Sequence, residues 1–165
     1  MPAHDKISTM LWFDSNAEEA ANYYVSIFKN SKIKQITRYS ESASRAAGRP
    51  LGSVMTVSFE LEGRDFVGLN GGPVFKFSEA ISLVVNCDDQ EEIDRIWNKL
   101  SEGGDPNAQQ CGWLKDRFGL SWQVVPKSLP KLMENADSAE RVMGEVMQMK
   151  KIDLARLERA AYAER

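Results

Sequence analysis

Between residues 7 and 126 one order of elements occurs twice: an apolar strand, capping side chains, an amphipathic helix and further strands. The two copies are offset by about 73 residues, so Asn16 corresponds to Asp89, and Tyr23-Tyr24 to Ile96-Trp97. Residue identity between the copies is low, but the hydrophobic pattern is shared. A repeat of this kind predicts an α+β chain made of two copies of one supersecondary unit.

In the first copy, residues 7–13 form a short apolar run suited to a strand covered on both faces. Asp14, Ser15 and Asn16 follow, with side-chain oxygens able to cap orphan helix amides. Ala17, Ala20, Ala21, Tyr24, Ile27 and Phe28 then recur at helical spacing, with Glu18 and Glu19 in the first turn, where the helix dipole favours acids. Residues 33–39 suit a strand, and Ser40 to Ser53, rich in Ser, Ala and Gly, reads as a mobile loop. Residues 54–61 alternate apolar and polar, and Glu62-Gly63 turns the chain into a strand from Asp65 to Asn70. Gly71-Gly72-Pro73 ends the copy.

The second copy starts with the apolar strand 81–87. Asp89 and Glu92 have the spacing of a capping box, and Ile93, Ile96, Trp97 and Leu100 follow at i, i+3, i+4 and i+7. Gly103-Gly104 stops the helix. Strands are expected at 109–115 and 120–125, joined by a turn over 116–119. Beyond Pro126 and Pro130 the pattern changes. Ala139, Val142, Met143, Val146 and Met147 make a narrow apolar stripe, and Asp153 can cap a last helix carrying Leu154, Leu157 and Ala161. Such helices suit packing on their own domain or on a partner subunit.

Composition narrows the function classes. A net charge of -3, with bases interleaved among acids, does not suit a nucleic-acid-binding surface. No stretch approaches the roughly 18 apolar residues of a membrane span, and Met1 to Lys6 lacks the apolar run of a signal peptide, so a cytoplasmic protein is expected. Cys87 and Cys111 sit in separate apolar segments and read as free thiols.

The segments "LWFDSNAEEAANYYVSIFKNSKI", "FVGLNGGPVFKFSEAISLVVNCDDQEEIDRIWNKLSEGG", "CGWLKDRFGLSWQVVP" and "VMQMKKIDLARLERA" resemble the PhnB-like branch of the glyoxalase/bleomycin-resistance/dioxygenase superfamily. These are the vicinal-oxygen-chelate proteins, and the branch is often labelled 3-demethylubiquinone-9 3-methyltransferase. The resemblance implies paired βαβββ modules that form a curved mixed sheet around a small-molecule pocket, assembled as a homodimer. It places one such domain over residues 1–128, with modules at about 5–72 and 79–126, and a helical extension over 129–165.

Catalytic relatives hold a divalent metal with one side chain on the first strand and one on the last strand of each module. The donors are His, Glu or Gln at about 2.0–2.2 Å. Carried over by position, the resemblance puts these sites at Thr9 and Ser82 on the first strands and at Gly68 and Gln123 on the last. None is His, Asp or Glu, and a slip of one residue to Ser8, Met10, Ile81 or Leu83 brings in no better donor. No metal and no other cofactor is therefore expected. His4, the chain's one histidine, lies in the N-terminal tail. With Thr9 on the concave side, Leu11 and Phe13 line the pocket beside it, while Met10 and Trp12 face the helices. Ser82, Val84 and Asn86 take the matching places in the second module, with Asn70, Gln123 and Trp113 adding two amides and an aromatic wall.

Such a pocket suits an uncharged or weakly polar small molecule. Four function classes follow: a metal-independent binding protein or enzyme, a methyltransferase, a metal-dependent lyase or dioxygenase, and a protein that sequesters a toxic compound. The methyltransferase class calls for a Gly-rich turn between a strand and a helix, and "LNGGPVFKF" does not lead into a helix. The metal-dependent class would need Glu60 or Asp65 turned inward, and both adjoin the Glu62-Gly63 turn, where solvation is expected. Ser82, Thr9 and Cys111 lack a histidine to activate them, and an exposed Asp116–Arg117 pair in the turn would contribute little, so no catalytic residue is named.

Overall fold

The computed structural model describes residues 5–163. The chain divides into two compact units, residues 1–76 and 77–165. His4 lies outside the described residues.

The first unit is a four-stranded mixed sheet with one long helix. Its elements are β1 (Thr9–Phe13), α1 (Ala17–Ile27), β2 (Lys32–Arg38), α2 (Glu41–Ala47), β3 (Val54–Leu61) and β4 (Arg64–Asn70). The strand order is β1-β4-β3-β2, with β1 parallel to β4 and the other pairs antiparallel. Glu62 and Gly63 both have positive φ, 50° and 78°, as a type I′ hairpin turn requires. α1 covers one face of the sheet: the rings of Tyr24, Phe59 and Phe66 stack in sequence, and Leu11, Phe13, Val57 and Leu61 are buried with them.

The segment read as a loop contains a helix instead. Ser40 Oγ accepts the Ala43 amide at 3.3 Å, and Gly48 closes α2 in the left-handed conformation. Ser40 and Gly48, two of the residues that suggested a loop, are its caps, while Glu41, Ala43, Arg45, Ala46 and Ala47 favour its interior.

The second unit contains β5 (Ser82–Cys87), α3 (Gln90–Ser101), β6 (Trp113–Lys115), β7 (Ser121–Pro126) and the helices α4 (Leu129–Leu132), α5 (Ala136–Val146) and α6 (Leu154–Ala161). The sheet order is β5-β7-β6, with β5 parallel to β7. This module is therefore one strand short of βαβββ among the described residues. Where the first module has β2, the second has a 3-10 turn at Pro106–Ala108 and a single bridge between Gln110 and Trp113. Gly103, Cys111 and Gly112 have positive φ, so the segment folds as successive turns and not as an extended ladder.

α3 is capped as its sequence indicates. Asp89 Oδ1 accepts the Glu92 amide at 2.9 Å, and Glu92 Oε2 accepts the Asp88 amide at 2.7 Å. The C-terminal helices enclose their own apolar cluster of Leu132, Val142, Val146, Met149, Ile152 and Leu157. Gln90, on α3, ties that cluster to the unit: its Nε2 donates to the Ile152 carbonyl at 3.0 Å, and its Oε1 accepts the Leu154 amide at 2.8 Å. The Cys111 and Gly112 amides also bond to the carbonyls of Met149 and Lys150. Val142 and Val146 of the apolar stripe point into the cluster, and Met143 and Met147 are exposed. Both cysteines are free.

Candidate functional site

Each sheet has one face under its helix and one face turned away from it. Strand register assigns side chains to the two faces, because laterally paired residues lie on the same side. In the second unit Leu114, Trp122, Val124 and Cys87 are buried on the α3 side. The opposite, open face carries Ser82, Val84 and Asn86 from β5, Ser121 and Gln123 from β7, and Trp113 and Lys115 from β6. The candidates Ser82, Val84, Trp113 and Gln123 thus share one surface. Gln123 Nε2 donates to Ser82 Oγ at 2.9 Å. Val84 is 49% exposed beside them.

The first unit differs. Thr9, Leu11 and Phe13 pair with Phe66, Gly68 and Asn70, and all six lie on the α1 side. A Cβ on Gly68 would stand 3.1 Å from the Ala17 Cβ and 3.4 Å from the Phe13 ring, tight contacts that place it under the helix. The expectation that Thr9, Leu11 and Phe13 line the concave surface is therefore corrected, and so is the placing of Met10 and Trp12 against the helices. Met10, 60% exposed, and Trp12 are on the open face.

The cause is a difference of one residue. Three residues, Asp14 to Asn16, link β1 to α1, whereas two, Asp88 and Asp89, link β5 to α3. Aligning the copies on their helix caps therefore shifts the strands by one position, which sends every side chain to the other face. Aligned on strand ends, Phe13 matches Cys87, Ser8 matches Ser82, and Val67 matches Gln123.

Asn70 is also corrected. It is 5% exposed, and both ends of its amide are engaged inside the unit. Its Oδ1 accepts the Ala17 amide at 2.9 Å, and its Nδ2 donates to the Val54 carbonyl at 3.1 Å. The expected cap, Asn16, makes no side-chain cap bond, so Asn70 supplies the oxygen that α1 needs. Asp116 departs from its expectation as well. It is 2% exposed, with Oδ1 accepting from the Phe118 and Leu120 amides and Oδ2 from Trp122 Nε1 at 2.9 Å. It fixes the β6–β7 hairpin from a buried position, not from an exposed turn.

Four features of the open faces lay beyond the sequence reading. In the first unit Glu60 and Asp65 are only partly exposed, and Lys34 Nζ joins them at 3.4 and 2.8 Å. The Asp65 hydrogen bond, ahead of the desolvation that opposes it, raises the Lys34 pKa. At the other end of β4, where Trp12 pairs with Leu69, Trp12 Nε1 donates to the Gly72 carbonyl at 2.9 Å and its ring meets the edge of Phe75 at 4.8 Å. In the second unit Ser121 is 1% exposed and its Oγ has no hydrogen-bond partner among the described residues. A buried hydroxyl left so costs about 1–3 kcal/mol. Paired with Ser121 across the sheet, Lys115 forms an ion pair with Glu79, whose pKa the lysine hydrogen bond lowers.

A family model described as 3-demethylubiquinone-9 3-methyltransferase matches residues 5–125. The chain belongs to this family. A PhnB protein of Bacillus cereus, described as a 3-demethylubiquinone-9 3-methyltransferase, is 36% identical, with 73% of this chain and 99% of that one covered and a TM-score of 0.62. Protein PA1353 of Pseudomonas aeruginosa shares the fold at 20% identity, over 74% and 98% of the two chains, with a TM-score of 0.57. So does the fosfomycin resistance protein FosX of Listeria monocytogenes, whose structure holds Mn(II) and sulfate: 11% identity, 79% and 95% covered, TM-score 0.53. No curated protein matches.

The superfamily's metal can be tested against the donors in each module. The second module presents Ser82 and Gln123, a hydroxyl and an amide bonded to each other. The first presents Ser8 and Val67 at the corresponding places, with Asp65 two residues away and held by Lys34. Among the described residues no group of three or more His, Cys, Asp or Glu could hold a metal ion. Two hydroxyls, one amide already bonded to one of them and an aliphatic side chain supply neither imidazole nor carboxylate, and so do not fit a divalent cation.

Proposed function

We propose that this chain is a small-molecule-binding member of the superfamily that works without the superfamily's catalytic metal, in the cytoplasm and as a homodimer. The observation that carries the reading is the Gln123–Ser82 hydrogen bond, with neutral groups bonded to each other where catalytic relatives place metal ligands. Around that pair, Val84 and Trp113 offer apolar and aromatic surface, the usual company of a few orienting polar groups in a ligand site. Ser82 Oγ retains its own proton to donate, and the Gln123 carbonyl oxygen is an acceptor. Both are suited to hold and orient a ligand, and neither is a strong base.

Methyl transfer, the activity in the family's description, receives less support. Gly71 and Gly72 follow β4 and lead through an irregular segment into strand β5. A dinucleotide-type cradle would need a helix N-terminus there. The whole chain, labelled at the Gln123 side-chain amide, tests the reading by NMR against a library of small apolar and weakly polar compounds that includes organic acids. Saturable shifts of the Gln123 amide that vanish in Ser82→Leu are expected. Compounds that shift only signals outside the two open faces would overturn it.

A further inference from the structure

The open face of the second sheet has a row of hydrogen-bond donors running across its strands. Ser82, Ser121 and Lys115 are consecutive register partners on β5, β7 and β6. Each is placed to donate. Ser82 Oγ accepts from Gln123 and so keeps its own proton for another acceptor. Ser121 is closed to solvent, and its hydroxyl has no partner among the described residues. Lys115 is the sole cation of these three strands, and its ammonium already holds a carboxylate, that of Glu79.

The two members of that ion pair are held unequally. Lys115 is anchored in the sheet, with 28% of its side chain exposed, whereas Glu79 comes from the irregular segment before β5 and is 65% exposed. An exposed ion pair of this kind contributes little to stability, so another carboxylate can replace Glu79 at small cost.

We propose that this row is an acid-recognition subsite, in which Glu79 occupies the place of a ligand's carboxylate until a small organic acid displaces it. The inference rests on the binding reading above and specifies its ligand class. Neighbouring strands lie about 4.7–4.9 Å apart, so one carboxylate spans two adjacent members of the row, Ser121 and Lys115. A carboxylate accepts through both oxygens, and the bond from an ammonium is charge-assisted and stronger than a neutral one. The next row across the sheet, Val84, Gln123 and Trp113, meets the ligand's body with an apolar, an amide and an aromatic group. The ligand class is therefore a monocarboxylate with an apolar or aromatic body.

The test uses matched acids and amides: phenylacetate against phenylacetamide, and hexanoate against hexanamide. Each is titrated into the full chain and followed at the Trp113 indole and the Gln123 amide. The acids should bind about tenfold more tightly than their amides, as a charge-assisted contact gives. Glu79→Gln should tighten the acids severalfold and leave the amides unchanged. Lys115→Met should abolish the preference, and Ser121→Ala should reduce it without disturbing the fold. If the amides bind as well as the acids, or if Glu79→Gln leaves acid binding unaltered, the acid subsite is wrong while the binding reading stands. If neither class shifts either signal, both fall.

Discussion

Asn70 Oδ1 accepts the Ala17 amide at 2.9 Å, so the cap of α1 comes from a strand 53 residues away in sequence. The same side chain donates to the Val54 carbonyl, and the Asn70 carbonyl accepts the Tyr39 hydroxyl at 2.5 Å. One residue thus joins α1, β4 and the start of β3. Asn70→Ala should destabilise the chain by about 2–3 kcal/mol in urea denaturation, because it removes the cap from a helix amide and a hydrogen bond from a partly buried carbonyl. Ligand shifts at the Gln123 amide should be unchanged. A loss below about 0.5 kcal/mol would mean that the cap is dispensable.

Gly71 is required for a steric reason. A Cβ at this position would run into the six-membered ring of Trp12, so the indole would have to leave its seat and give up its bond to the Gly72 carbonyl. Gly71→Ala should cost about 1–3 kcal/mol, in the range of overpacked sites, and shift the Trp12 indole resonance. An unmoved indole signal would show that the loop yields instead.

The two second-module positions are close enough to share an ion once they carry donors. The double variant Ser82→His, Gln123→Glu replaces a hydroxyl and an amide in direct contact with an imidazole and a carboxylate. Calorimetry should show Zn(II) or Ni(II) binding at least about tenfold tighter than to the native chain. Equal affinities would mean that the two positions do not converge.

Burial pushes the Cys87 thiol up to about 12 from 9.0, with nearby Glu92 reinforcing the effect. The folded state therefore keeps the thiol neutral at pH values where the unfolded chain ionises it. Its contribution to stability is intact below pH 9.0 and declines as pH rises toward about 12. Cys87→Ala should lose less stability than the native chain over that interval. In the folded protein, iodoacetamide should modify Cys111 and spare Cys87.

Most of the fold was legible because local signals agreed with one another. The 3.6-residue period of Ile93, Ile96, Trp97 and Leu100, the Asp89 cap and the Glu62-Gly63 turn each act within a few residues. Strand facing was not legible in the first module. It depends on counting the link between strand and helix, and one additional residue there reverses the face of Leu11 and Phe13. Asn70 has the composition of a ligand contact, and only the tertiary fold brings its amide to the end of α1. Ser121 was missed for the opposite reason. A serine in a strand gives no signal until its burial and its lack of a partner are seen together.

Metal content tests the central claim most directly. The untagged native chain, purified without chelator and then dialysed with Mn(II), Zn(II) or Ni(II), can be weighed for metal by plasma mass spectrometry. Neutral groups at Ser8, Val67, Ser82 and Gln123 should leave each metal well below one ion per chain. One tightly held ion per chain, lost on substituting Ser82 and Gln123 by Ala and Leu, would contradict the metal-independent reading.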